Sequence, residues 1–358
     1  MTLAIRATLA VLLIVTLVPL TTHAWDRLEA NPFATLPPGE RHPEGITADP
    51  AGNLYVTTFD ITHAGRAGQL FVFGPSGQLL RQVSVHGSSN LLLGLDFHPI
   101  SHDLLVIDFG GAQVLSVNPV TGASHVFTSL ASLGQPGLNA LAFDRNGNVY
   151  ISASFAGAIF KTGPGGGPAT VWVQSPLLTT TGVPGFGANG LAFNNAQTAL
   201  FVANTGNDTI VKIPVTSSRT GPTAGTPAVF VNSINGADGL IIDEDDNIWV
   251  AANQADEIVV VNPSGRAIAK LGDFDGIDQN GRPIGLLFPA SPVRSGEFIF
   301  VTNLAIDLRL FDDPTTPTLT NGTVDSQWAA EVKIDTIAMI RARIPRVEGF
   351  PRVPGMDD

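Results

Sequence analysis

The chain contains no cysteine, so disulfides, thiol nucleophiles and Cys-ligated zinc are excluded at the outset. Positive charge is scarce as well: 19 Lys and Arg stand against 31 Asp and Glu, with no basic block. A net charge of −12 argues against nucleic acid or an anionic membrane surface as partner. It suits a cation site without demonstrating one. No segment carries a long apolar stripe of helical period, so helix content should be small. Gly-x-Ser-x-Gly, phosphate-loop and His-Glu-x-x-His patterns are also missing. Serine-hydrolase and zinc-peptidase chemistry therefore have no support.

One apolar run stands out, at the N-terminus. Arg6 precedes the stretch Leu9–Leu20, and Thr22-His23-Ala24 offers a small-residue cleavage site. This is the layout of a secretory signal peptide, and the run is short of the ~20 residues a membrane span needs. Residues 1–24 are expected to be removed after Ala24. The remainder, 25–358, is expected to be a single exported domain, periplasmic or extracellular, with no membrane contact.

A pattern recurs six times along that remainder. Its opening residues are Glu44, Leu93, Asn139, Asn189, Asp238 and Ile284, each followed by Gly-Leu or a close variant and 46 to 50 residues apart. Each copy reads as strand, tight turn, strand. Asp49-Pro-Ala-Gly-Asn, Asp144-Arg-Asn-Gly-Asn and Asp243-Glu-Asp-Asp-Asn supply the turns. β-branched and aromatic segments such as Leu54–Thr58 and Ile248–Ala251 supply second strands. This spacing fits four-stranded blades and predicts an all-β, six-bladed β-propeller. Residues 31–37 resemble an outermost strand placed ahead of blade one, so the N-terminal strand should close the last blade. Blade six departs from the template. Its third strand is expected at 335–340, which makes residues 304–334 an insertion and a candidate lid; the alternative places that strand at Asp307–Phe311.

Innermost strands converge on the axis, so the six opening residues should ring one end of the channel. Four carry side-chain oxygen and two, Leu93 and Ile284, are apolar. Burying two carboxylates and two amides together is costly unless something satisfies them. A divalent cation would do so with a hard-oxygen shell. Ordered channel water is the other reading the residues allow.

Glu44-Gly, Asn139, Asn189-Gly-Leu-Ala-Phe and Asp238-Gly-Leu resemble the senescence marker protein / gluconolactonase / luciferin-regenerating enzyme family, over roughly residues 31 to 345. Paraoxonases and diisopropyl fluorophosphatase share that architecture and a similar shell. The resemblance implies that Glu44, Asn139, Asn189 and Asp238 are metal ligands, with Ca2+ the first candidate and Zn2+ or Mn2+ the others. It also implies hydrolysis of a lactone, ester or phosphotriester. In that chemistry the cation polarises the carbonyl, and Asp238 acts as base or nucleophile, or as a ligand only. Two family features are missing. Gly137 stands where gluconolactonases carry a sugar-binding arginine, and Leu93 stands where paraoxonases carry a histidine. The substrate is accordingly expected to be a small, fairly apolar molecule.

Other residues expected near the mouth are His42, His63, Phe186, Asn204 and Asn303. His98 and His102 flank a turn at the opposite end and read as structural. Asp273-Phe-Asp-Gly-Ile-Asp could hold a second cation but lacks the downstream glutamate of a calcium-binding helical loop. The competing functions are a non-catalytic propeller scaffold and a lyase or synthase on the same fold.

Overall fold

Six antiparallel sheets, each built on four strands, form the protein in a computed structural model that describes residues 26–218, 221–311 and 328–345. The innermost strands of blades one to six are Pro43–Ala48, Leu92–Phe97, Leu138–Phe143, Ala188–Phe193, Ala237–Ile242 and Pro289–Ser295. Each packs on the next, and the last returns to the first, so the ring is closed. This is the six-bladed propeller anticipated from the repeat. Among the described residues helix is limited to single short turns, and no helix is long and apolar enough to cross a membrane. Residues 1–24 and their leader assignment lie outside the described part.

The first hairpin of a blade turns on one aspartate. Asp49 Oδ1 accepts the backbone N–H groups of Ala51 and Asn53, each at 2.9 Å, while Oδ2 accepts from Asn53 Nδ2 and the Tyr55 hydroxyl. Asp144 repeats this with Asn146, Asn148 and Tyr150. Asp243 repeats it with Asp245, Asn247 and Trp249. The carboxylate replaces backbone partners that a reversing chain lacks, and it ties the turn to an aromatic of the second strand. In blade two His98 takes over: Nδ1 accepts from Ser101 N–H, and Nε2 bonds Gly147 O of blade three at 2.8 Å. Its structural reading stands.

The core lies between blades rather than at one centre. Blades one and two enclose Tyr55, Leu70, Leu104 and Val106. Blades five and six enclose Trp249, Val260, Ile299 and Ile340. Both faces of every middle strand are therefore covered, which is why Leu54–Thr58, Leu104–Asp108 and Ile248–Ala252 are buried along their whole length.

The ring closes as expected. Asn31–Thr35 pairs antiparallel with Thr336–Arg341, giving blade six the order 31–35, 336–341, 298–303, 289–295. The third strand thus follows the insertion, and Leu308–Phe311 forms a 3-10 turn instead of a strand. Of the insertion, residues 312–327 lie outside the described part.

Candidate active site

Each innermost strand carries the same irregularity near its start. Pairing with the second strand shifts register between Pro43 and Ile46, Leu92 and Leu95, Leu138 and Leu141, Ala188 and Leu191, Ala237 and Leu240, and Pro289 and Pro292. A bulge re-aims the side chain it carries. The residue held inside it is Glu44, Leu93, Asn139, Asn189, Asp238 and Ala290 in turn. All five positions expected for blades one to five, the four oxygen-bearing residues and Leu93, thus keep their register. Blade six is corrected: its axial residue is Ala290, fully buried, while Ile284 is 41% exposed on a small hairpin outside the ring.

The small residue after each axial position has a steric cause. A Cβ on Gly45 would lie 2.3 Å from Leu93 O, and one on Gly190 would lie 2.6 Å from Asp238 O. Blades one, two, four and five thus each press their backbone against the carbonyl of the next axial residue. Thr57 Oγ1 donates to Leu93 O, and Thr302 Oγ1 donates to Glu44 O, both at 2.6 Å. The axial ring is thus fixed by close backbone approach and by threonine hydroxyls that hold the axial carbonyls.

Glu44, Asn139, Asn189 and Asp238 face one cavity, with Leu93 and Phe186 among its apolar walls. Its free space, about 50 Å³, accommodates an ion and a few waters. Glu44 Oε2, Asp238 Oδ1 and Asn253 Oδ1 are buried without a hydrogen-bond partner. Burial, and then the neighbouring Asp238, pushes the Glu44 carboxyl well above the usual range. Burial likewise lifts Asp238 to about 7, although the Asn253 side chain hydrogen-bonds it and opposes the shift. Two acids forced together out of water resist ionisation, and a cation between them removes that resistance. Among the described residues no three His, Asp or Glu side chains cluster; two carboxylates and two amides make up the shell. This all-oxygen donor set, with orphaned anionic oxygens on one cavity, fits a hard divalent cation.

A second ring was missed in the sequence. Immediately after each second strand stand Phe59, Phe109, Ser154, Thr205, Asn253 and Leu304. Thr205 Oγ1 accepts from Asn189 Nδ2 at 2.9 Å, and Asn253 Nδ2 donates to Asp238 Oδ2 at 3.1 Å. The ring is polar on blades three to five and apolar on blades one, two and six. Counting forward from the aligned second strands would have found it.

Several expected mouth residues act elsewhere. His42 is buried; its Nδ1 bonds Leu304 O at 3.0 Å, and burial lowers its pKa. His63 is half exposed and pairs with Asp60 at 2.8 Å, away from the cavity wall. Asn204 Nδ2 donates to Leu177 O and Thr179 O, which anchors the loop bearing Phe186. Asn303 donates to Gly285 O and Thr336 Oγ1 and accepts from Leu287 N–H. Both asparagines hold backbone in place rather than facing substrate. Asp278 is occupied by its own turn and by Arg282, and Asp273 lies 3.5 Å from Arg27. From the start of the blade-six insertion, Leu304, Ile306 and Leu308 stand on the cavity wall.

Residues 112–272 match the SMP-30/Gluconolactonase/LRE-like region family, so the recognition made from the axial motifs stands. No curated protein matches the chain by sequence. The luciferin-regenerating enzyme superposes with a TM-score of 0.58 at 15% identity, covering 85% of this chain and 93% of that one. Regucalcin of Agrobacterium tumefaciens, a calcium-binding protein, gives 0.58 at 16%, covering 88% and 98%. A gluconolactonase of Xanthomonas campestris gives 0.54 at 15%, covering 75% and 85%. At these identities the structural likeness speaks for the fold alone.

Proposed function

We propose, with the SMP-30/gluconolactonase/LRE-like region as premise, that the protein is a cation-dependent hydrolase of a lactone or related ester, acting at the axial cavity. The observation that carries this reading is the pair of unpartnered buried oxygens, Glu44 Oε2 and Asp238 Oδ1. A scaffold has no use for two acids held at such cost beside an open space.

Glu44, Asn139, Asn189 and Asp238 would hold the cation, calcium first among the candidates, which when bound supplies the charge that polarises the substrate carbonyl. Asp238 is the group placed to move a proton. Its Oδ2 is fixed by Asn253, and its Oδ1 is free to accept hydrogen from an attacking water. The water oxygen joins the acyl carbon, the ring C–O bond breaks, and the proton held by Asp238 passes to the alkoxide. Thr205 fixes the Asn189 amide, so that residue cannot turn its carbonyl from the cavity without losing a hydrogen bond. Phe59, Leu93 and Leu304 keep bulk water off the opposite side. Export by residues 1–24 belongs to the same proposal.

Metal analysis of the purified full-length protein, beside a panel of lactones, aryl esters and phosphotriesters with and without chelator, tests the reading. Stoichiometric cation and chelator-sensitive turnover are expected. A metal-free protein with no chelator-sensitive activity overturns it.

A further inference from the structure

We propose that the apolar side of the cavity continues outward as an aromatic slot for the acyl or aryl tail of the substrate, so that lactones and esters of long apolar acids are preferred. The proposal rests on the hydrolase reading for its chemistry, but the slot itself is a separate feature of the walls.

Four phenylalanines from three blades and one loop form a continuous run. Phe59 and Phe186 line the cavity. Phe109 bridges them, with ring centroids 5.5 Å from Phe59 and 6.1 Å from Phe186. Phe155 extends the run, 5.8 Å from Phe109 and 5.4 Å from Phe186. The run leads from the carboxylates to solvent, because Phe155 is 47% exposed while Phe59 is buried. Phe155 lies beyond the residues that line the cavity, so the ring-to-ring contacts carry the apolar wall from the pocket onto the surface.

Polar groups have been kept off this side. Gly137, at φ +74°, precedes Asn139 by two residues, and a Cβ there would lie 2.8 Å from the Phe155 ring. No side chain can rise from that position while Phe155 stays. Ser154, the polar neighbour of Phe155, donates its hydroxyl to Ala188 O at 2.6 Å. On this side of the cavity a polyhydroxylated lactone would meet rings where its hydroxyls needed partners, and each buried hydroxyl left unpaired weakens binding. An alkyl or aryl tail meets only matching surface.

Burial of each methylene along such a slot is expected to raise kcat/KM by about fourfold until the slot is filled. The test uses the full chain with calcium and a series of γ-lactones whose side chain lengthens from methyl to octyl, with gluconolactone for comparison. Phe155→Ala and Phe186→Ala should cut the octyl-to-methyl ratio of kcat/KM by about tenfold or more. Phe155→Gln is a second variant, of similar size and at an exposed position, that removes the apolar surface without opening the core. The matching γ-lactams, which resist hydrolysis, are titrated calorimetrically in parallel. Lactam affinity that rises with chain length and falls in the Phe155 variants upholds the slot even if no lactone is turned over, and only the hydrolase reading then fails. Turnover and lactam affinity both indifferent to chain length, or a preference for gluconolactone, overturn the slot.

Discussion

Asn253 and Asp238 are joined by one hydrogen bond, Nδ2 to Oδ2 at 3.1 Å, which leaves Asp238 Oδ1 without a partner. The pair divides one carboxylate into an anchored oxygen and a free one. Losing the anchor, in Asn253→Ala, is expected to lower cation affinity or turnover about 10- to 100-fold, as for other outer hydrogen bonds to ligating groups. Calcium titration and kcat on the best lactone separate the two effects. No change in either would show Asn253 to be idle.

Asp238→Asn keeps an oxygen donor but cannot take a proton. Turnover should fall about 10²- to 10⁴-fold if Asp238 is the base, with cation content by mass analysis retained. Full activity in a metal-loaded variant would reduce Asp238 to a ligand.

Chelation should make the protein sensitive to rising pH, opposite to the usual behaviour of a paired carboxylate. Asp238 holds its proton up to about 7 in the fold, against 3.8 unfolded. Its contribution is thus fully present below 3.8 and is lost as pH climbs through 7, because the folded form then binds the more protons. Glu44, raised by burial and by Asp238, acts in the same direction. Melting temperature in chelator should fall from about pH 4 to about pH 7, less in Asp238→Asn, and calcium should restore it most at the alkaline end of that range. A flat profile in chelator would contradict the burial of the two acids.

The contact of a blade with the next axial carbonyl can be tested at Gly190. Gly190→Ala places a methyl 2.6 Å from Asp238 O and should cost about 1–3 kcal/mol in urea unfolding. Because the carbonyl that must yield belongs to Asp238, calcium affinity should drop as well. A neutral substitution would mean that the blades separate more easily than their spacing suggests.

Much of this was legible because register repeats. Asp49, Asp144 and Asp243 mark the same turn three times, and counting back from those turns places Glu44, Asn139 and Asp238 on one ring, which Asn189 joins through its own Asn-Gly-Leu-Ala-Phe repeat. Blade six defeated the count. Ile284-Gly-Leu-Leu-Phe imitates the motif, yet its isoleucine sits on a separate hairpin, and the innermost strand begins at Pro289. In four of the six blades the chain turns into the strand with positive φ, at His42, Gly137, Gly236 and Phe288, and in all six a bulge and a small residue follow. Pro289-Ala290-Ser291 meets the steric demand without the Gly-Leu signature. Asn204 and Asn303 were misplaced for a different reason. Their place at strand ends was right, but asparagine binds backbone as readily as substrate, and sequence carries no sign of which carbonyls lie within reach.

Blade six joins two jobs in one place. Its outer strand, Asn31–Thr35, is borrowed from the other end of the chain, and the segment bearing Leu304, Ile306 and Leu308 leaves from its second strand. The seam therefore stays open until the last described strand is available, so closure depends on contacts between distant parts of the chain and should be slow. Opening, too, should start there, since no other blade depends on pairing between the chain's two ends. The lifetime of the folded state should therefore follow the pairing of Asn31–Thr35 with Thr336–Arg341 more closely than that of any strand pair inside one blade.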